Sequence, residues 1–166
     1  GGGPVLGDDD LFGSAVAAVG DLDGDGVVDL AVGASGENFG GSSKGAVYIL
    51  FLNTDGTAKS FTLIADNRGG GPGLTTFDRF GTSVASIGDL DGDGIVDLAV
   101  GARFDDQGGT NRGAVHVLLL NADGTVKSHQ KIADGVGGLI ADTLEDSDAF
   151  GFAVTSLGDL NADGVA

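Results

Sequence analysis

Cysteine, methionine and tryptophan are absent from the 166 residues, proline occurs twice and tyrosine once. Without cysteine no disulfide can brace the fold and no thiolate can hold a metal. An extracellular chain of this composition therefore needs another brace. No apolar stretch approaches the roughly 20 residues of a membrane span, so membrane insertion is not expected. Neither an initiating methionine nor a signal peptide is present, and the sequence reads as a processed product or a piece of something longer. Lysine and arginine total 8 against 25 acidic residues, for a net charge of −17. Phosphates would be repelled, which excludes nucleic acid as a partner.

What the chain has in excess is glycine, 33 residues, roughly three times the usual share of about 7%. No three-residue glycine period runs through it, so it is not collagen-like. The glycines belong to a long internal repeat. Phe12-Gly13, Phe80-Gly81 and Phe150-Gly151 are spaced 68 and 70 residues apart. DLDGDGVVDLAVGA (21–34) returns as DLDGDGIVDLAVGA (89–102), and GAVYILFLNTDGT (45–57) as GAVHVLLLNADGT (113–125). The landmarks divide the chain into repeats at 1–76 and 77–146 and the start of a third at 147–166, about 2.4 repeats in all.

Each unit reads as four strands. In the first they are 13–19, rich in small residues, then 29–33, 45–52, and 57–65 with a period of two. Asp55-Gly56 and Asp123-Gly124 join strands three and four, a hairpin signal because such a turn needs positive φ. Helical periodicity is weak. The fold class expected is all-β, with four-stranded antiparallel units stacked as propeller blades or another β array. The small residues of the first strand recur at 81–87 and 151–157 and would let neighbouring backbones approach closely.

The acids are concentrated. Asp21, Asp23, Asp25 and Asp29 fall within nine residues, and Asp89, Asp91, Asp93 and Asp97 repeat the arrangement. Four carboxylates this close repel one another unless a cation lies among them. Ca²⁺ suits such a set, since it takes 6–8 oxygens; hard carboxylates without His or Cys argue against zinc or copper. Positions 1, 3 and 5 of a curling loop can point inward, Val27 can offer its carbonyl at position 7, and Asp29 closes the site from the next strand. The corresponding set is Asp89, Asp91, Asp93, Ile95 and Asp97. An EF-hand would need a glutamate at position 12, where this chain has Val32 and Val100, and helices on both sides. A third loop, Asp159, Asn161, Asp163 and Val165, lacks a closing residue and is expected to bind only partially unless another chain completes it.

FGSAVAAVGDLDGDGVVDLAVGA and FGTSVASIGDLDGDGIVDLAVGA resemble FG-GAP repeats, the blades of the integrin α-subunit propeller. The resemblance covers nearly the whole chain. It implies a calcium-loaded hairpin loop between the first two strands of each blade, with the ligands just named. One departure is that the usual Gly-Ala-Pro is Gly33-Ala34-Ser35 and Gly101-Ala102-Arg103, which alters a loop and leaves the metal site untouched.

Propellers close with four to eight blades, so the expected context is a larger propeller or a head-to-tail filament, by self-association or with neighbouring repeats of a longer chain. The expected role is that of a calcium-binding, extracellular structural or adhesion module with a cell-surface, matrix or polysaccharide ligand, and not an enzyme. The alternative is the non-catalytic propeller region of a secreted carbohydrate- or lipid-active enzyme. His116 aligns with Tyr48 and His129 with Phe61, so neither histidine recurs and both read as structural. Asp10, Asp78 and Asp148, each two positions before a Phe-Gly, read as turn residues. The loops 35–44, 66–79, 103–112 and 134–149 vary between copies and carry Arg68, Arg79, Arg103 and Arg112; they are the candidate ligand surface.

Overall fold

A computed structural model describes residues 2–158. It contains eight strands: β1 (Phe12–Gly20), β2 (Asp29–Ala34), β3 (Ala46–Leu52) and β4 (Ala58–Ile64), then β5 (Phe80–Ser86), β6 (Leu98–Ala102), β7 (Ala114–Leu120) and β8 (Val126–Ala133). They form two antiparallel meanders, ordered β1-β2-β3-β4 and β5-β6-β7-β8. Among the described residues there is no helix, and so none long and apolar enough to cross a membrane. The sequence boundaries fall within two residues of these strands at every end in the first unit.

The meander fixes which loops share an end of the blade. The β1–β2 and β3–β4 connections lie at one end, and the variable β2–β3 and β4–β5 connections at the other. At the β3–β4 hairpin only Gly56 takes positive φ, 80°. Asn53 N–H donates to Thr57 O at 2.8 Å and Gly56 N–H to Asn53 O at 2.9 Å, so four residues turn the chain, with Asp55 Oδ1 accepting from Thr57 N–H at 3.0 Å. Asn121, Asp123, Gly124 and Thr125 repeat this pattern.

One apolar core runs between the two sheets. Ile49, Phe51 and Ile64 of the first blade and Phe80, Leu98, Val100, Leu118 and Leu120 of the second belong to it, and most are fully buried. The Phe-Gly and Gly-Ala motifs form the joint. Phe80 N–H donates to Lys44 O at 2.9 Å, and Ser14 Oγ donates to Gly81 O at 2.9 Å. A Cβ built on Gly33 would collide with the Gly81 carbonyl, so the small residue is required by the approach of the two backbones. The same joint recurs one repeat later: Phe150 N–H reaches Arg112 O at 2.8 Å, Ser83 Oγ reaches Gly151 O at 2.8 Å, and Gly101 is the glycine that leaves room.

The joint explains why equivalent residues differ in exposure. Phe12 and Phe80 each pack edge-on against the matching residue of their own third strand, Tyr48 at 5.6 Å and His116 at 5.5 Å. Phe80 is nevertheless fully buried while Phe12 is 36% exposed, because only Phe80 is covered by a preceding blade. The first strand expected at 151–157 is corrected by the structure: beyond the Gly113–Phe150 bridge these residues are turn and irregular chain. A blade's first strand is held by its second, and no such partner stands beside them among the described residues.

Gly33→Ala and Gly101→Ala are expected to destabilise the fold by about 1–3 kcal/mol each through steric overlap at the joint, measured by urea unfolding. A loss below about 0.5 kcal/mol at both positions would show that the blades do not depend on this approach.

Candidate metal centre

The loop between β1 and β2 is shaped by its own carboxylates. Asp21 Oδ1 accepts from Asp25 N–H at 2.9 Å and Asp21 Oδ2 from Gly26 N–H at 2.8 Å. Asp25 Oδ1 accepts from Val27 N–H at 2.9 Å. In the second blade Asp89 accepts from Gly92, Asp93 and Gly94, and Asp93 Oδ1 from Ile95 N–H at 2.9 Å. Two side chains thus wrap the backbone around themselves, and Gly24 and Gly26 supply the positive φ that the curl needs.

Asp29 and Asp97 behave differently. Both are fully buried at the start of the second strand. Asp29 accepts from Leu22 N–H and from Leu52 N–H, each at 3.0 Å. Asp97 accepts from Leu90 N–H at 2.8 Å and Leu120 N–H at 3.0 Å. One carboxylate therefore ties the acidic turn to the end of the third strand. Burial pushes the Asp97 carboxyl above its ordinary range, with the two N–H donors pulling the other way. A positive ion in front of it would favour the charged form.

The fold brings together Asp21, Asp23 and Asp29, which each offer a carboxylate oxygen within 4.8 Å of the others, and Asp89, Asp91 and Asp97 do the same. Oxygens bound to one calcium at 2.3–2.6 Å lie no more than about 5 Å apart, so the span and the all-oxygen donor set fit this ion. Asp25 and Asp93 are outside these tight groups. Their second oxygens pair instead with Lys59 and Lys127, while Val27 and Ile95 are held on the loop by their N–H groups. The third loop, Asp159 to Val165, lies outside the described residues.

The lysines are what the sequence reading missed. Lys59 Nζ is 2.7 Å from Asp23 Oδ2 and Lys127 Nζ is 2.5 Å from Asp91 Oδ2. Paired carboxylates hold both ammonium groups well above their ordinary pKa. Lys127 in turn holds the Asp93 carboxyl below the usual carboxylate range. The signal was present as TAKS (57–60) and TVKS (125–128) at the repeat spacing, but nothing in the sequence showed that the fourth strand starts beside the acidic turn.

The remaining candidates have other occupations. His116 is buried, its nitrogens have no hydrogen-bond partner, and burial lowers its pKa to about 4. His129 is exposed on β8. Asp10, Asp78 and Asp148 each accept from the N–H three residues earlier, those of Gly7, Thr75 and Glu145. At the opposite end of the blades most loop arginines are engaged within the chain. Arg112 pairs with Asp134 at 2.6 Å and Asp146 at 3.2 Å, Arg68 lies over Phe39 and Arg103 over Phe104.

The FG-GAP repeat family model matches residues 12–50 and 80–118, the span from the first strand through most of the third in each blade. Integrin alpha-M of Mus musculus is 34% identical over 148 residues, 83% of this chain and 11% of the integrin. Integrin alpha-3 of Cricetulus griseus is 39% identical over 133 residues, 75% of this chain and 11% of that protein. Integrin alpha-4 of Xenopus laevis is 38% identical over 95 residues, 57% of this chain and 9% of that protein. The chain spans about a tenth of the length of the curated relatives it matches. With two matched repeats, each a four-stranded blade carrying its acidic turn between the first two strands, the chain belongs to the FG-GAP repeat family, with blades of the integrin-alpha type.

Proposed function

We propose that this chain is an extracellular structural or adhesion module whose blades are stiffened by calcium bound in the turns Asp21–Asp29 and Asp89–Asp97. The observation that carries the reading is the duplication of one geometry: in each blade three carboxylates converge within 4.8 Å, one of them a fully buried aspartate tied to two strands. In each blade the buried aspartate lies behind two carboxylates nearer the surface, and the arrangement recurs at the repeat spacing. Bound calcium, when present, would neutralise the cluster and fix the turn; the chain's part is to hold the oxygens at coordinating separation. Extracellular-module sites have Kd values of about 10⁻⁴–10⁻³ M, which fill only where calcium is millimolar.

Assembly into a larger propeller or filament is supported by the unfilled half of the joint. Gly81 and Gly151 are lodged against preceding backbone, whereas a Cβ on Gly13 would meet nothing within 4 Å among the described residues. Phe12-Gly13 is therefore shaped to seat against another blade. Ligand contact belongs to the variable loops at the end away from the metal turns, and neither histidine is placed for catalysis.

Three outcomes are expected. Calcium at 100 times Kd should stabilise the fold by about 2.7 kcal/mol per site, a rise of roughly 5–10 °C in melting temperature for each. Chelator should reverse it, and Asp23→Ala with Asp91→Ala should abolish it; identical melts in calcium and chelator would remove calcium from the proposal. Asp29→Ala should cost about 2–4 kcal/mol even in chelator, because two N–H groups lose their acceptor, whereas Asp23→Ala should change little there; chemical denaturation separates the two. Incubation with polysaccharides in calcium should release no new reducing ends, and their appearance would point to an enzyme.

A further inference from the structure

Each acidic turn carries its own cation. The chain has four lysines, and two of them occupy equivalent places, second in β4 and second in β8. Lys59 bridges Asp23 and Asp25, and Lys127 bridges Asp91 and Asp93. The bridging side chains are only 27% and 26% exposed, so the stems lie against the blade while the ammonium groups face the turn. The lysines come from a strand separated from the acids by 34 residues of chain. Two repeats therefore deliver the same basic group to the same two carboxylates through tertiary structure. Among the described salt bridges of the acidic turns, these lysines are the only cations.

The pairing divides each turn's acids. Asp23 and Asp91 are shared: each faces the lysine and also belongs to the converging trio. Asp25 and Asp93 face the lysine alone. A divalent ion drawn in by the trio must accept a monovalent charge nearby or displace it from the shared carboxylate.

Resting on the calcium reading above, we propose that Lys59 and Lys127 are tethered counter-cations: they hold the turns closed when no divalent ion is bound, and they compete with that ion for Asp23 and Asp91, lowering its affinity. The physical basis is direct. An ammonium relieves part of the mutual repulsion of the carboxylates, so the blade can fold without the metal. The same charge repels an incoming dication, and a +1 and a +2 charge a few ångströms apart in water-like surroundings disfavour binding by roughly tenfold. The lysine thereby shifts filling of the turn toward the higher calcium range and makes the metal a brace added to a folded blade.

The test compares the full chain with Lys59→Met/Lys127→Met and Lys59→Arg/Lys127→Arg, by calorimetric titration with calcium chloride and by melting in chelator. The Met variant should bind calcium roughly tenfold more tightly and melt at a lower temperature in chelator, and the Arg variant should resemble the wild type in both. A Met variant folded only in calcium would support the counter-cation role. Unchanged or weaker calcium binding by the Met variant, where the wild type binds, overturns the competition. A wild type that takes up no calcium overturns the calcium reading and the competition with it. The chelator melts still decide the rest: a Met variant as stable there as the wild type overturns the counter-cation role.

Discussion

The buried carboxylate at the start of the second strand of each blade is the interaction on which the rest of the acidic turn depends. Asp29 and Asp97 have no exposure, and a charge removed from water is tolerable only when hydrogen bonds or an opposite charge replace its hydration. Two backbone donors supply part of that replacement, one from the acidic turn and one from the end of the third strand. The carboxylate therefore fixes the turn to the sheet. Once the turn is fixed, Asp21 and Asp23 or Asp89 and Asp91 are placed beside it, and the start of the fourth strand brings its lysine within reach.

A second constraint acts between blades. Backbones approach at the Phe-Gly and Gly-Ala motifs closely enough that a single methyl group would not fit. Serine hydroxyls then reach across the joint to the Gly81 and Gly151 carbonyls of the following repeat. The small side chains of the first strands fit this approach. The third strands give the common core most of its large apolar side chains, Val47, Ile49, Phe51, Leu118 and Leu120. The acidic turns sit at the end of the sheets away from the variable loops, so the proposed ion sites and the proposed ligand surface lie at opposite ends of the strands.

Much of this was legible beforehand. The 68-residue spacing, the Asp-Gly turns and the period-two segments located all eight strands. The aspartates preceding each Phe-Gly proved to bond the N–H three residues earlier, as their repetition suggested. Residues 151–157 were less legible, since their composition matches a first strand but they lack a partner strand beside them. Asp25 and Asp93 share the spacing of their neighbours, yet their orientation toward Lys59 and Lys127 depends on a strand that the local motif does not contain.

By itself the sequence determined the repeat, the all-β blades, the oxygen-only character of the acidic turns and the small first-strand residues that let backbones approach. These are properties of local residue type and spacing, which act over a few bonds. Only the tertiary structure decided which three carboxylates converge, which aspartate loses its water, and which lysine answers the charge. Those outcomes depend on the packing of the third and fourth strands against the turn, and electrostatic pairing is set by distance in space and not by distance along the chain.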